Sequence, residues 1–537
     1  MRKPQDISFS SVDIQILWNR LLAIVEEQAQ TLIRTSFSPT VREAGDLSAG
    51  VFDAHGRMIA QAVTGTPGHV NAMAASVKEF LKVFPTDELA PGDVLVTNDP
   101  WKGTGHLNDF TVVTPVFQND SCVALFAATT HIADVGGLGF GADGRSVYEE
   151  GLNIPISRLF RKGRVDETLM RLIRANVRDP IVAEGDFYSL AACNDAGAKR
   201  LSALMSEWPL ERLDNVADAI IDLSRAGMAQ RIGVIGNGAY EHAMRIDGYD
   251  APIDLVCTVT IGDDIIDIDF AGTSGTSARG VNVPLTYTQA YASFGARCVI
   301  GGDIPNNAGS LAAIRVSAPE GCILNAPPPS AVSARHAVGQ MLPDVVLGCL
   351  AKAGVETPAE GASCIFNPVL MSVEHAVEDR FVINPIFNGG TGARQGKDGL
   401  STTAFPSGVR TTSTEINEAE APLIFWRREF RQGSAGRGEY RGGLGQSIEI
   451  AHASGQPFAI SKMFDRTGHP PRGRDGGEAG APATIRLKDG PPLNGMGRET
   501  VPAGSRLIIE TPGGGGLGPP AARDAARVAE DDRNELI

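Results

Sequence analysis

The chain has 537 residues, 42% of them apolar and 21% charged, with Gly 62 and Pro 33. That is several times the ~150 residues of one domain, in a balance that excludes disorder and a plain helical bundle. Lys+Arg 48 against Asp+Glu 63 leaves −15, which excludes nucleic acid or an anionic membrane as main partner.

Residues 12–35 carry Ile14, Leu17, Leu21, Ile24 and Leu32 near helical spacing and predict an amphipathic helix. Residues 47–61 predict a hairpin that turns at Asp53-Ala54-His55-Gly56. A helix over 70–84 and a short buried strand over 93–97 follow, the strand closed by Asn98-Asp99-Pro100. Residues 110–117 and 122–130 predict a second hairpin about Asn119-Asp120-Ser121, and a glycine-rich loop occupies 136–144. Residues 166–246 read as helical. A third hairpin, 253–260 with 265–270, turns at Gly262-Asp263-Asp264, and helices are expected at 285–299 and 333–353. Beyond about residue 365 the chain is strand, turn and glycine as far as Pro512-Gly513-Gly514-Gly515-Gly516, and 520–537 is polar and expected to fray.

Without regular βαβ alternation the expected class is α+β. The shifts in composition divide the chain into an N-terminal α+β region bearing the second hairpin (1–165), a helical region (166–250), a further α+β region (251–365), a β- and glycine-rich region (366–520) and a polar tail (521–537). No run approaches the ~18 apolar residues of a membrane helix. The opening Met1-Arg2-Lys3-Pro4-Gln5-Asp6 is no apolar signal core, so a cytoplasmic location is expected. Seven widely spaced cysteines without a Cys-x-x-Cys read as reduced core residues, not as a thiolate zinc site or disulfide framework.

His106 and Asp109 lie three apart before the second hairpin, and His131 ends its other arm. A turn of odd length, pairing Gln118 with Cys122, sets Asp109 opposite His131, with Cβ atoms ~5 Å apart. A turn of even length puts them on opposite faces. Two imidazoles and one carboxylate with open positions suit Mn, Fe or Zn, and Asp134 stands where it could orient His131. The competing reading is a polar hairpin end whose His and Asp satisfy loop backbone groups. Asp99, at a strand end before Pro100, is placed either to cap or to face a cleft, and His69 reads as a capping or packing residue. Gly139-Phe140-Gly141-Ala142-Asp143-Gly144 lacks the strand-to-helix setting of a dinucleotide site, and neither a P-loop nor a Gly-x-Ser-x-Gly elbow is present.

The ordered series Asp46-Leu47-Ser48-Ala49-Gly50-Val51-Phe52-Asp53, Asn98-Asp99-Pro100, His106-x-x-Asp109 and His131-x-x-Asp134-Val135-Gly136-Gly137 resembles the hydantoinase B family. That family comprises the B-type component of N-methylhydantoinases, the matching half of 5-oxoprolinase and the α component of acetone carboxylase. Ala175-Asn176-Val177-Arg178, Asn307-Ala308-Gly309, Arg441-Gly442-Gly443-Leu444-Gly445 and the final glycine run agree, and the resemblance covers about residues 11–520. It implies a hetero-oligomer in which a hydantoinase A-type, actin-like subunit takes up ATP and Mg and phosphorylates the substrate's carbonyl oxygen. The B-type subunit holds a divalent metal, on ligands that match His106, Asp109 and His131. The expected activity is ATP-dependent opening of a hydantoin, a lactam or 5-oxoproline, with Asp134 or Asp99 relaying a proton. The alternatives are an α-type subunit of a ketone carboxylase and a non-catalytic scaffold. Relatives often carry Gly-Gly-Thr-His-Leu-Pro-Asp, where this chain has Gly105 before His106 and Asn108 in place of the proline, and many have histidine where Ile132 stands.

Overall fold

In a computed structural model, which describes residues 9–63, 66–364, 366–373 and 381–536, the N-terminal part is built around a seven-stranded antiparallel sheet. The opening residues Met1 to Asp6 lie outside the described residues. The strands are β1 (Leu47–Asp53), β2 (Met58–Gln61), β3 (Val94–Thr97), β4 (Asp109–Gln118), β5 (Ser121–His131), β6 (Ser157–Arg161) and β7 (Arg164–Val165), ordered β2-β1-β5-β4-β3-β6-β7. Both faces are covered, so successive side chains alternate between two cores instead of between core and water. Val51, Val112, Phe126 and Ala128 pack with the first helix, Ser11–Thr35, and with Pro180–Glu207. Phe52, Val113, Leu125 and Ala127 pack with the helix Pro67–Val83. The first helix begins where predicted because Ser10 and Asp13 cap it reciprocally, each side chain accepting from the other's backbone N–H.

The helical stretch ends sooner than expected. Glu167–Asn176, Pro180–Glu207 and Asp214–Gly233 are helices, but Gly238–Ile246 is strand β8. Gly236 and Gly238 interrupt the helix, and from 239 to 246 exposure alternates with period two. With β9 (Ile253–Ile261), β10 (Ile266–Asp269) and β11 (Ile314–Ser317) it forms a sheet ordered β11-β10-β9-β8, in which β10 and β11 run parallel. Leu285–Ile300 is helical as predicted. The helix expected over 333–353 is broken into His336–Gly339 and Leu342–Lys352, because Pro343 belongs in a first turn and cannot continue a preceding one.

The C-terminal part contains two antiparallel four-stranded sheets that share one core of Phe366, Phe387, Ile448, Phe458, Ile460 and Ile509. Beside them runs an array of extended glycine-rich segments. Gly514, Gly515 and Gly516 donate in turn to Gly443 O, Glu360 O and Glu478 O, three different neighbours, whereas a β-strand addresses only two. A Cβ on Gly514 would stand 1.9 Å from Thr391 O and one on Gly513 2.0 Å from Ser434 O, so the approach is closed to any other residue. The tail does not fray as expected. Ala525–Arg533 is a helix whose Asp531, 4% exposed, pairs with Arg523 at 2.7 Å and Arg441 at 3.3 Å.

Candidate metal centre

The second hairpin brings Asp109 and His131 face to face as paired residues of β4 and β5. The route differs from the one expected. The turn is the two-residue Asn119-Asp120, both at positive φ (49° and 61°), joining Gln118 to Ser121. A bulge then changes the register, since Phe117 pairs with Cys122 and Val116 with Ala124, leaving Val123 as the extra residue. The even turn alone would have inverted one arm, and the bulge restores it.

His106 is delivered by the loop between β3 and β4, which Asn98 fastens: its Nδ2 donates to Leu107 O and Leu152 O and its Oδ1 accepts from Ile154 N. Asn108, in the position where relatives carry proline, donates to Ile132 O at 3.0 Å and accepts from Ile132 N at 2.7 Å through its carbonyl, locking the two ligand-bearing segments together. Gly105 has φ +96°, and a Cβ there would stand 2.6 Å from Arg335 Cδ.

Ligand atoms of His106, Asp109 and His131 lie within 4.8 Å of one another, and all three residues are buried. Asp109 Oδ1 is 2.7 Å from His106 Nε2 and 3.2 Å from His131 Nδ1. Its Oδ2 is held from outside by Thr104 Oγ1 at 2.7 Å, His69 Nε2 at 2.9 Å and Arg335 Nη2 at 2.5 Å. Arg335 also donates to Thr104 O and stacks over the Tyr287 ring, 4.0 Å from its centroid. Burial opposes ionisation of Asp109, but His106, His69 and Arg335 beside it hold its carboxyl well below the usual range. Burial likewise opposes a charge on His69, yet Asp109 and Asp46 on its two sides outweigh it and raise its pKa.

His106 is the most telling residue. Its Nδ1 lies 3.0 Å from Ser333 O, a carbonyl that can only accept, so Nδ1 carries the ring's hydrogen. Burial and the Arg335 charge push its pKa down to about 3, so the ring is neutral and Nε2 presents a lone pair. That lone pair faces the Asp109 Oδ1 lone pairs at 2.7 Å, and neither His106 Nε2 nor His131 Nε2 has a hydrogen-bond partner. Two acceptors this close in a buried site repel each other, and a cation between them relieves that repulsion. Two imidazole nitrogens and one carboxylate oxygen are a suitable donor set for one divalent ion.

Asp134 and Asp99 stand outside this cluster. Asp134 accepts from Gly136 N and from the Arg178 backbone and guanidinium, and Arg178 also donates to Gly137 O, which explains the pairing of the 134–137 and 175–178 motifs. Asp99 accepts from Trp101 N and lies 3.9 Å from Lys102 Nζ. Sequence reasoning missed Arg335, Ser333 and the reach of His69 onto Asp109. Of these only His69, three residues into a helix next to Pro67-Gly68, carried a local signal.

A model of the family described as Hydantoinase B/oxoprolinase matches residues 10–520. The chain belongs to that family. A protein of Methanocaldococcus jannaschii with no assigned role is 30% identical over 98% of this chain and 94% of its own length. A Pseudomonas protein named as the B-type component of a D-/L-hydantoinase is 25% identical over 97% of this chain and 92% of its own. The 5-oxoprolinase 1 of Arabidopsis thaliana is 29% identical over 94% of this chain, which spans only 42% of that longer protein. Among solved structures, the ATP-dependent caprolactamase from Pseudomonas jessenii matches with TM-score 0.88 at 22% identity, covering 98% of this chain and 94% of that one. Nucleotide-free acetone carboxylase matches with TM-score 0.86 at 18% identity, covering 97% and 78%. At such identities the two structures establish a shared α+β fold. Among the described residues, no helix of this hydantoinase B/oxoprolinase family member is long and apolar enough to cross a membrane.

Proposed function

We propose that this chain is the ion-holding subunit of an ATP-dependent enzyme that opens a cyclic amide (a hydantoin, a lactam or 5-oxoproline), working with a separate hydantoinase A-type subunit that takes up ATP and Mg. The observation that carries the reading is the buried contact of His106 Nε2 with Asp109 Oδ1, two acceptors whose repulsion a cation relieves, in a member of this family. The name of one relative, a B-type component of a hydantoinase, and the greater length of the 5-oxoprolinases support a partner that supplies the remaining machinery.

His106, Asp109 and His131 would hold Mn, Zn or Fe, and such an ion supplies Lewis-acid chemistry at a carbonyl or phosphoryl oxygen. Thr104, His69 and Arg335 fix the outer oxygen of Asp109, so that one oxygen alone is presented inward. Ser333 fixes the tautomer of His106. Asp134, through Arg178, and Asp99, through its own turn, position the segments that carry the ligands. A proton relay through Asp134 requires that Arg178 let go of it. The partner's ATP would convert the ring's amide oxygen into a phosphate ester, leaving the ring carbon open to water.

Chain purified without chelator is expected to hold one divalent ion, lost in both His106→Ala and His131→Ala. Full metal content in both variants refutes the ligand set. Reconstituted with its partner, the chain is expected to open a cyclic amide without bicarbonate and to place oxygen from labelled water in the new carboxylate. A strict requirement for bicarbonate and a ketone would instead establish the carboxylase reading. Metal loss without any effect on turnover would leave a scaffold.

A further inference from the structure

Phe140 sits in the glycine-rich loop between Gly139, at φ +82°, and Gly141. Its ring centroid is 5.0 Å from that of His131, 5.6 Å from that of His106 and 5.7 Å from that of His336. One phenyl ring therefore touches three imidazoles, each with a buried Nε2 that has no hydrogen-bond partner. Leaving three ring nitrogens unsatisfied around an apolar group costs stability and has no packing rationale of its own. His106 and His131 are accounted for as ion ligands. His336 is not among the clustered ligand atoms, so its Nε2 is free for something else.

The surroundings leave Phe140 somewhere to go. Phe140 as a residue is 7% exposed. A Cβ built on Gly139 meets nothing within 4 Å, so the backbone there runs beside open space. The outer side of the same loop, at Gly137, Leu138 and Asp143, lines a wide-mouthed cavity of about 560 Å³ together with Tyr148 and Arg279. The far end of the loop is anchored, since Tyr249 donates to Asp143 at 2.6 Å and Gly280 N to Ala142 O at 2.9 Å. On either side of Phe140, Gly139 N bonds Gly136 O at 3.2 Å and Gly141 N bonds Ser333 Oγ at 3.4 Å, so any opening falls on the Phe140 side chain.

We propose that Phe140 is the stopper of a ring-sized ligand slot: it occupies the place of a small planar cyclic amide beside the ion ligands, turns toward the outer cavity to admit one, and leaves His336 Nε2 to hydrogen-bond it. A five-membered lactam or hydantoin ring is close to a phenyl ring in outline. His336 thus becomes a residue that touches the ligand. The class of ligand rests on the cyclic-amide reading above, whereas the stopper does not.

The test is histidine modification by diethyl pyrocarbonate on the full-length, metal-free chain, followed by peptide mass spectrometry. His55, with a side chain 65% exposed, is the internal control. In the parent chain His106, His131 and His336 are expected to react slowly. Phe140→Ala is expected to speed all three by about tenfold or more while His55 is unchanged, because reaction follows the population of the open form. Phe140→Leu, which keeps a large apolar group, is expected to fall between and serves if the alanine variant does not fold. Unchanged rates at the three histidines would overturn the stopper. In Phe140→Ala, 2-pyrrolidinone is expected to protect His336. Fast modification that neither 2-pyrrolidinone nor hydantoin slows would retain the stopper and overturn the cyclic amide as its ligand.

Discussion

Asp109→Asn, measured on chelator-treated chain, isolates what the carboxylate does for the fold. The substitution is nearly isosteric. With its oxygen outward, the amide still accepts from Thr104 and Arg335, and its NH2 group takes the place of Oδ1, where it donates to the His106 Nε2 lone pair 2.7 Å away. The hydrogen bonds are thus kept or improved, a gain of about 1 kcal/mol. What disappears is the charge. Arg335 is 2% exposed, so it becomes a buried guanidinium without its carboxylate. Removing one partner of a buried ion pair costs about 3–5 kcal/mol. His69, whose pKa Asp109 helps to raise, loses that support as well. The net expectation is a loss of about 2–4 kcal/mol in urea unfolding followed by tryptophan fluorescence. Trp101, which donates to Ala326 O, reports close to the site. Arg335→Met alone should lose a similar amount, but the double variant should lose far less than the sum, with a coupling of about 2 kcal/mol. Additive losses, or an Asp109→Asn chain within about 0.5 kcal/mol of the parent, would refute the account of Asp109 as an anion that the fold depends on.

Glu150 accepts from Val332 N and Ser333 N, both at 2.8 Å, and burial pushes its carboxyl up to about 7. The folded chain then binds more protons than the unfolded one from about pH 4.5 to 7, so the stabilisation present below that window is lost as pH rises through it, a swing of about 3 kcal/mol. Glu150→Gln should flatten that slope, and a stability difference from the parent that is equal at about pH 5 and about pH 8 would contradict it. Gly514→Ala places a Cβ 1.9 Å from Thr391 O, a backbone atom with no rotamer to escape into. A loss above about 4 kcal/mol is expected, seen as proteolysis within residues 366–520, and a normally stable variant would contradict the glycine packing.

Local features of the chain were enough for most elements and for the three clustered residues His106, Asp109 and His131. The first helix was legible because the apolar spacing that defines it lies within one segment. His106, Asp109 and His131 were legible because one hairpin carries two of them and the third lies three residues away. Helix spacing also misled where a glycine break, as before β8, or an internal proline, as at Pro343, outweighed composition. The parity of the second hairpin came out right through two features that cancel, a two-residue turn and a bulge at Val123. Such a bulge is set by how the two arms pack, which no residue in the turn encodes.

Tertiary structure alone decided what surrounds the ligands. Arg335 reaches Asp109 across 226 residues and Ser333 reaches His106 across 227. Phe140 meets His336 only because the 331–341 segment closes over the end of the first sheet. The reason is physical: periodicity, caps and turn residues act over a few positions, so the sequence by itself determined the elements and the His and Asp side chains they carry to one end of the hairpin. Which distant segment supplies the counter-charge, the tautomer lock and the covering ring depends on how separately buried cores fit against one another, and that fit is a property of the assembled chain.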